Sequence, residues 1–175
     1  EDELVGRCLA ALPDQPIDPA LAMAICMRAY SPKGIAEVSR ALRLSNRLLS
    51  AVVWLVGSLP AARAASSLEL ADLKTLMAHA ECNSLLELLR ADSIATGSGI
   101  NRYDCLVKRA AGVANADITP PPFITGADLA DCGIPPGPRV GRLLGAAYRA
   151  QLNERITSRE QALEYVRDLI TSGTG

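Results

Sequence analysis

The sequence predicts an all-α fold, an irregular multi-helix body followed by a small helical tail, and three observations carry that expectation. Ala and Leu dominate while aromatic residues make up only 3% of the 175, a composition that favours helix because such side chains lose little rotamer freedom there. Helix-start signals recur at short intervals. Strand signals are missing: β-branched alternation never persists, and no Asn-Gly or Asp-Gly turn occurs. With 49% apolar residues the chain can bury a core and is not a disordered one.

Taken in order, a first helix is expected over roughly 3–12, where Cys8 serves an apolar face as a small hydrophobe. The next runs over roughly 19–30, with Asp18 as N-cap and Pro19 at the first helical position; the third, over roughly 33–43, repeats the device with Ser31 and Pro32. Cys26 is read like Cys8. A helix from Ser45 or Asn46 is expected to stop near 58, ahead of Pro60. Further helices are expected over roughly 68–79, 83–96 and 100–114, and Ser66 with Glu69, Ser84 with Glu87 and Thr157 with Glu160 all have capping-box spacing. "NADITPPPF", with three prolines, reads as an extended connector. The segmentation is therefore a body over 1–115, a connector over 116–124 and a tail over 125–175. The tail holds a short helix from Thr125, a Gly-rich helix near 138–152 and a last helix from about 158 to 171, after which "TSGTG" should fray.

Formal charge is −1, so no global field advertises nucleic acid or membrane. The distribution is uneven. Residues 1–18 carry Glu1, Asp2, Glu3, Asp14 and Asp18 against Arg7, whereas 139–159 carry Arg139, Arg142, Arg149, Arg155 and Arg159 against Glu154. A local basic face is expected there. Five cysteines, odd in number and without a C-x-x-C pair, point to a reduced, cytoplasmic setting. His79 is the only histidine and reads as a filler rather than a metal ligand. The most apolar run, "LLSAVVWLVGSLPAA", is too short and too interrupted to span a bilayer. The chain opens without Met, as a processed form or an excised piece would.

Catalytic constellations are poorly supplied. There is no Ser-His or Cys-His arrangement and no phosphate-cradling G-x-x-x-x-G-K-[ST]. "GSGINRYD" follows a helix rather than a strand and reads as a turn. Asp128 and Asp131 have the spacing to chelate Mg²⁺, but helix capping and dipole complementarity explain acids there more simply. The chain alone is not expected to be catalytic.

The unusual segment is "GIPPGPRVGRLLG". Gly137, Gly141 and Gly145 stand four apart, and each interior helical glycine costs about 1 kcal/mol relative to alanine. On a helical wheel Val140, Leu143, Leu144 and Ala147 form one stripe, Arg139, Arg142 and Arg149 lie away from it, and the glycines fall between. Bare backbone in that band admits a partner helix or a sugar-phosphate chain, and the turn before it adds a helix start suited to anions. Lys33, Arg40, Arg43 and Arg47 form a second basic cluster; the alternative for both clusters is a solvated surface. "IAEVSRALRLSNRLLSAVVWLV" has the cadence of a DNA-binding helix-turn-helix, which would require Arg47 to be exposed and Val52 to Val56 not wholly buried.

The tail adds a family likeness. "ITGADLADCGIPPGPRVGRLLGAAYRAQLNERITSREQALEYV" resembles the carboxy-terminal region of bacterial tRNA nucleotidyltransferases, the CCA-adding enzymes and related poly(A) polymerases. Their pattern there is T-G-x-D-L, then G-[LI]-x-P-G-P-x-[FV]-G-x-[LI]-L, then A-Q-L and I-x-[ST]-[RK]-E-x-A-L. Upstream, "ALRLSNRLLSAVVWLV" and "ADLKTLMAHAECNSLLELLRAD" look like the same family's helical body. The resemblance implies an all-helical body and tail that grip tRNA, or other structured RNA, through its backbone. Mg²⁺ and CTP or ATP are implied only for a catalytic head and neck that these residues do not include; "EDELV" departs from the neck's E-D-x-x-R element at Val5. The RNA-binding residues expected on this basis are Gly137, Arg139, Gly141, Arg142 and Arg149, with Arg43 and Arg47, and Tyr148 is the one aromatic considered for RNA contact. A helical protein–protein interaction module derived from that family is the alternative; oligomeric state is left open.

Overall fold

A computed structural model describes residues 2–13 and 16–172. Glu1 and Asp14, counted in the acidic amino-terminal stretch, and Gly173 to Gly175, where fraying was expected, lie outside them. The described residues form eleven helices and no strand, so the fold is all-α. The helices are α1 (Asp2–Ala10), α2 (Pro19–Met27), α3 (Pro32–Ala41), α4 (Asn46–Arg63), α5 (Leu70–Ala78), α6 (Cys82–Ala95), α7 (Asn101–Ala111), α8 (Asn115–Ile118), α9 (Gly126–Asp131), α10 (Pro138–Leu152) and α11 (Arg159–Thr171).

Local signals place the starts of α2, α3 and α4. Asp18 accepts from the Ala20 N–H, Ser31 from Gly34 and Ser45 from Leu48. Elsewhere the expectation needs correction. α4 continues to Arg63 with Pro60 inside it, because Leu55, Leu59 and Ala62 are all buried and their burial outweighs the one hydrogen bond that proline removes. Ser84 lies inside α6, where its hydroxyl donates to Asp18. Ser158 rather than Thr157 caps α11. A single helical turn, α8, interrupts the expected connector. Cys26 is exposed, whereas Cys8 is buried.

The chain divides into two compact units, Glu1–Leu68 with Leu76–Gly112, and Glu69–Thr75 with Val113–Gly175. In the first, α4 packs against α2, α3, α6 and α7, and α6 also meets α1 and α2. Val52, Leu55, Leu85, Leu88 and Leu89 are sealed inside it. Asp92 of α6 is 1% exposed and accepts two bonds from Arg63, at 2.8 and 2.6 Å. Arg109 donates to the carbonyls of Ala65 and Leu68 and pins the turn after α4. His79 stacks on Trp54 at 3.7 Å, and its Nδ1 accepts from the Glu81 N–H; it is a packed, hydrogen-bonded side chain.

The second unit is built on α10, whose Leu143, Ala147 and Ala150 meet Ile124, Leu129, Ile156, Ala162 and Val166. Gln151 holds the proline-rich connector: its side chain accepts from the Phe123 N–H (3.1 Å) and donates to the Pro121 carbonyl (2.8 Å). Tyr148 donates to the Pro120 carbonyl. The end of α10 also clasps residues 69–75. Asn153 accepts from the Ala71 N–H at 2.8 Å, and Glu154 pairs with Lys74, which is only 3% exposed. The start of α5 is therefore satisfied from 82 residues away, not by Ser66.

Candidate nucleic-acid interface

Helix α10 positions the predicted band as its sequence periodicity requires. Leu143 and Ala147 are buried, and Val140 and Leu144 are half-buried against the same core. That turns Gly137, Gly141 and Gly145 outward. All three are exposed, and a Cβ built on any of them would meet nothing within 4 Å. The residues of this helix therefore leave a strip of main chain open, and no neighbour packs into it. Gly137 is in extended backbone at φ 161, a conformation any residue adopts, so backbone strain does not explain its presence either.

Arg139 and Arg142 stand exposed beside the strip with no ion-pair or side-chain hydrogen-bond partner among the described residues. The other arginines of this stretch are engaged. Arg149 binds Asp72 (2.6 and 2.9 Å) and Glu69 (2.7 Å), which raises its own pKa and lowers both acids'. Its charge serves the clasp with α5 rather than the open strip. Arg155 lies 3.7 Å from Glu69, and Arg159 pairs with Asp128. Asp128 also accepts from the Thr125 N–H (2.7 Å) and hydroxyl (2.8 Å), and these bonds with Arg159 hold its carboxyl down at about 2. Both its oxygens are thus committed, which is the capping role expected of it. Among the described residues no group of three or more His, Cys, Asp or Glu side chains is placed to hold a metal ion.

The start of α10 offers fewer free donors than a bare helix start. Pro138 has no N–H, and the Val140 N–H returns to the Gly137 carbonyl at 3.0 Å. Tyr148, considered for RNA contact, is half-buried with its hydroxyl engaged.

The other predicted residues, Arg43 and Arg47, lie in the first unit and are both exposed. They line different grooves: Arg43 beside Ser39, Arg40 and Asn46, and Arg47 beside Asp18, Ser45 and Glu81. As a recognition helix α4 is constrained. Val52 and Leu55 are fully buried while Val53, Trp54 and Val56 are half-buried, and four helices surround it, so only its first turn is available to a groove of DNA. Ser39 was not singled out from sequence. A serine inside a helix carries no signal of its own until its neighbours are known.

No family model, curated protein or solved structure matches the chain. No helix of the described residues is long and apolar enough to cross a membrane.

Proposed function

We propose that this chain is the RNA-binding body and tail of a tRNA nucleotidyltransferase-like protein of the cytoplasm, one that grips structured RNA such as a tRNA acceptor region by its sugar-phosphate backbone. The single observation that supports the reading is the open strip of Gly137, Gly141 and Gly145, flanked by Arg139 and Arg142, which pair with no acid among the described residues. Bare main chain lets a phosphate chain approach closely, and two uncommitted guanidinium groups supply charge in the bidentate form that suits phosphate oxygens. The scarcity of exposed aromatics agrees with a duplex ligand, which is read through phosphates and 2′-hydroxyls rather than by stacking.

With so few free cations the affinity is weak and salt-sensitive. Binding of a tRNA minihelix at low salt, by wild type and by the Arg139→Ala, Arg142→Ala double variant, tests it. The double variant should bind less tightly, and its slope of log K against log salt should flatten by about 2. Equal affinity in the two proteins removes the phosphate site. The glycine strip also suits a partner helix, and concentration-dependent self-association without RNA affinity would favour an interaction module instead. A Gly-Ser-x-x-Asp-x-Asp element encoded upstream of Glu1 would make the parent a transferase.

A further inference from the structure

The turn that joins α3 to α4 carries chemistry of its own. One face of α3 and the first turn of α4 enclose a groove of about 470 Å³, lined by Ser39, Arg40, Arg43, Asn46 and three apolar residues. That volume lies in the ~300–1,000 Å³ range of small-molecule sites. Two arginines line it and no carboxylate does. Neither Arg40 nor Arg43 has a side-chain partner among the described residues.

The decisive residue is Ser39. It is 2% exposed, and its hydroxyl is buried without a hydrogen-bond partner. A serine inside a helix ordinarily bonds the carbonyl one turn back, here that of Ile35, and this one does not. Proteins seldom leave a buried hydroxyl unpaired, because it has lost water and gained nothing.

Across the groove α4 begins. Ser45 caps the Leu48 N–H, and the Leu49 N–H returns to the Ser45 carbonyl. The N–H groups of Asn46 and Arg47, at the first two helical positions, have no acceptor within the helix. Asn46, at the positive end of this 18-residue helix, lines the groove together with Arg40 and Arg43. Arg43 adds a further sign. It sits at φ 54, at a helix end where glycine is the usual residue, with the Leu44 N–H closing back on the Ser39 carbonyl at 2.9 Å.

We infer that this groove is a phosphoryl-binding site for a phosphomonoester, which would be held by Arg40, Arg43, Asn46 and the Ser39 hydroxyl. Two guanidinium groups match the charge of about −2 on a terminal phosphate. Ser39 lines the groove yet is only 2% exposed, and a terminal phosphate reaches a group so buried more readily than a phosphodiester within a strand does. The site is independent of the glycine strip on α10, and each can fail without the other.

Backbone amide resonances of the full chain test the site, titrated with inorganic phosphate, adenosine 5′-monophosphate and adenosine, with sodium chloride at matched ionic strength as control. Phosphate and the monophosphate should shift Asn46 and Arg47 saturably, and adenosine and chloride should not. Ser39→Ala and Arg43→Gly, neither of which disturbs the fold, should each weaken binding about tenfold or more, the loss expected for a hydrogen bond to a charged group. No saturable shift, a shift that chloride reproduces, or unchanged affinity in both variants overturns the inference. So does an RNA duplex lacking terminal phosphates that shifts Asn46 and Arg47 at lower concentration than the monophosphate, since the groove would then prefer diesters. Loss of minihelix binding in the Arg139→Ala, Arg142→Ala variant should leave these shifts unchanged.

Discussion

Arg43 and Glu154 are the only described non-glycine residues with positive φ, at 54° and 59°. Each follows a helix whose last carbonyls are closed by the next residue's N–H: Leu44 to Ser39, and Arg155 to Ala150. Left-handed backbone costs a residue with a Cβ about 1–2 kcal/mol, and glycine would remove that cost. The two positions differ in what the side chain does. Arg43 has no side-chain partner among the described residues, so Arg43→Gly should raise stability by about 1 kcal/mol. Glu154 is the counter-charge of Lys74, whose side chain is 3% exposed. Glu154→Gly should therefore lower stability despite the same backbone relief, because it leaves a buried ammonium group unpaired. Urea unfolding of the two variants checks the contrast, and a gain in both would show that the Lys74 pair contributes nothing. Neither position was legible in the sequence, where a charged residue between helices looks like any solvated loop. The glycine strip was legible, because Val140, Leu143, Leu144 and Ala147 fix which face of α10 is buried and leave its outward face by elimination.

At the scale of elements, a helix start can be read when its cap is local. Asp18, Ser31 and Ser45 each lie two or three residues from the N–H they accept, within reach of sequence spacing. The start of α5 shows the limit: its cap is Asn153, at the end of α10, and the Ser66–Glu69 spacing that suggested a capping box is not used. Asn153→Ala should cost about 1 kcal/mol, the usual worth of a cap. Amide exchange should speed up first at Ala71 and Asp72, and uniform exchange across α5 would show that the bond does not hold its first turn. Pro60 teaches the same lesson in reverse. A local rule ends the helix before it, whereas the burial of Leu59 and Ala62 on either side carries α4 through.

For the molecule as a whole, acid stability should be decided in the unit formed by Glu69–Thr75 and Val113–Gly175. Glu69 and Asp72 are lowered by hydrogen bonds from Arg149, and Asp128 falls from 3.8 to about 2, mainly through its bond from Arg159. A carboxyl depressed by folding contributes stability that is complete above its unfolded pKa and is lost as pH falls through the folded one. That contribution should be intact above about pH 5 and vanish progressively towards pH 2. Thermal unfolding followed from pH 6 to pH 2.5 should show the fall, and Asp128→Asn should make it shallower. An unchanged pH profile in that variant would mean that the Arg159 pair is fully screened by solvent.

Composition and periodicity by themselves determined that the chain is helical, which faces of its amphipathic helices turn inward, and where three helices begin, because those properties depend on neighbours a few residues apart. They also set the outward face of α10. Which charges remain free was decided only by tertiary structure. Arg139, Arg142 and Arg149 all fall on the side of a helical wheel away from the core stripe, yet Arg149 alone meets Glu69 and Asp72. That the Ser39 hydroxyl is buried and unpaired likewise emerges only in the folded chain. Electrostatic and hydrogen-bond partners are chosen by distance in space, and no spacing along the chain encodes that distance.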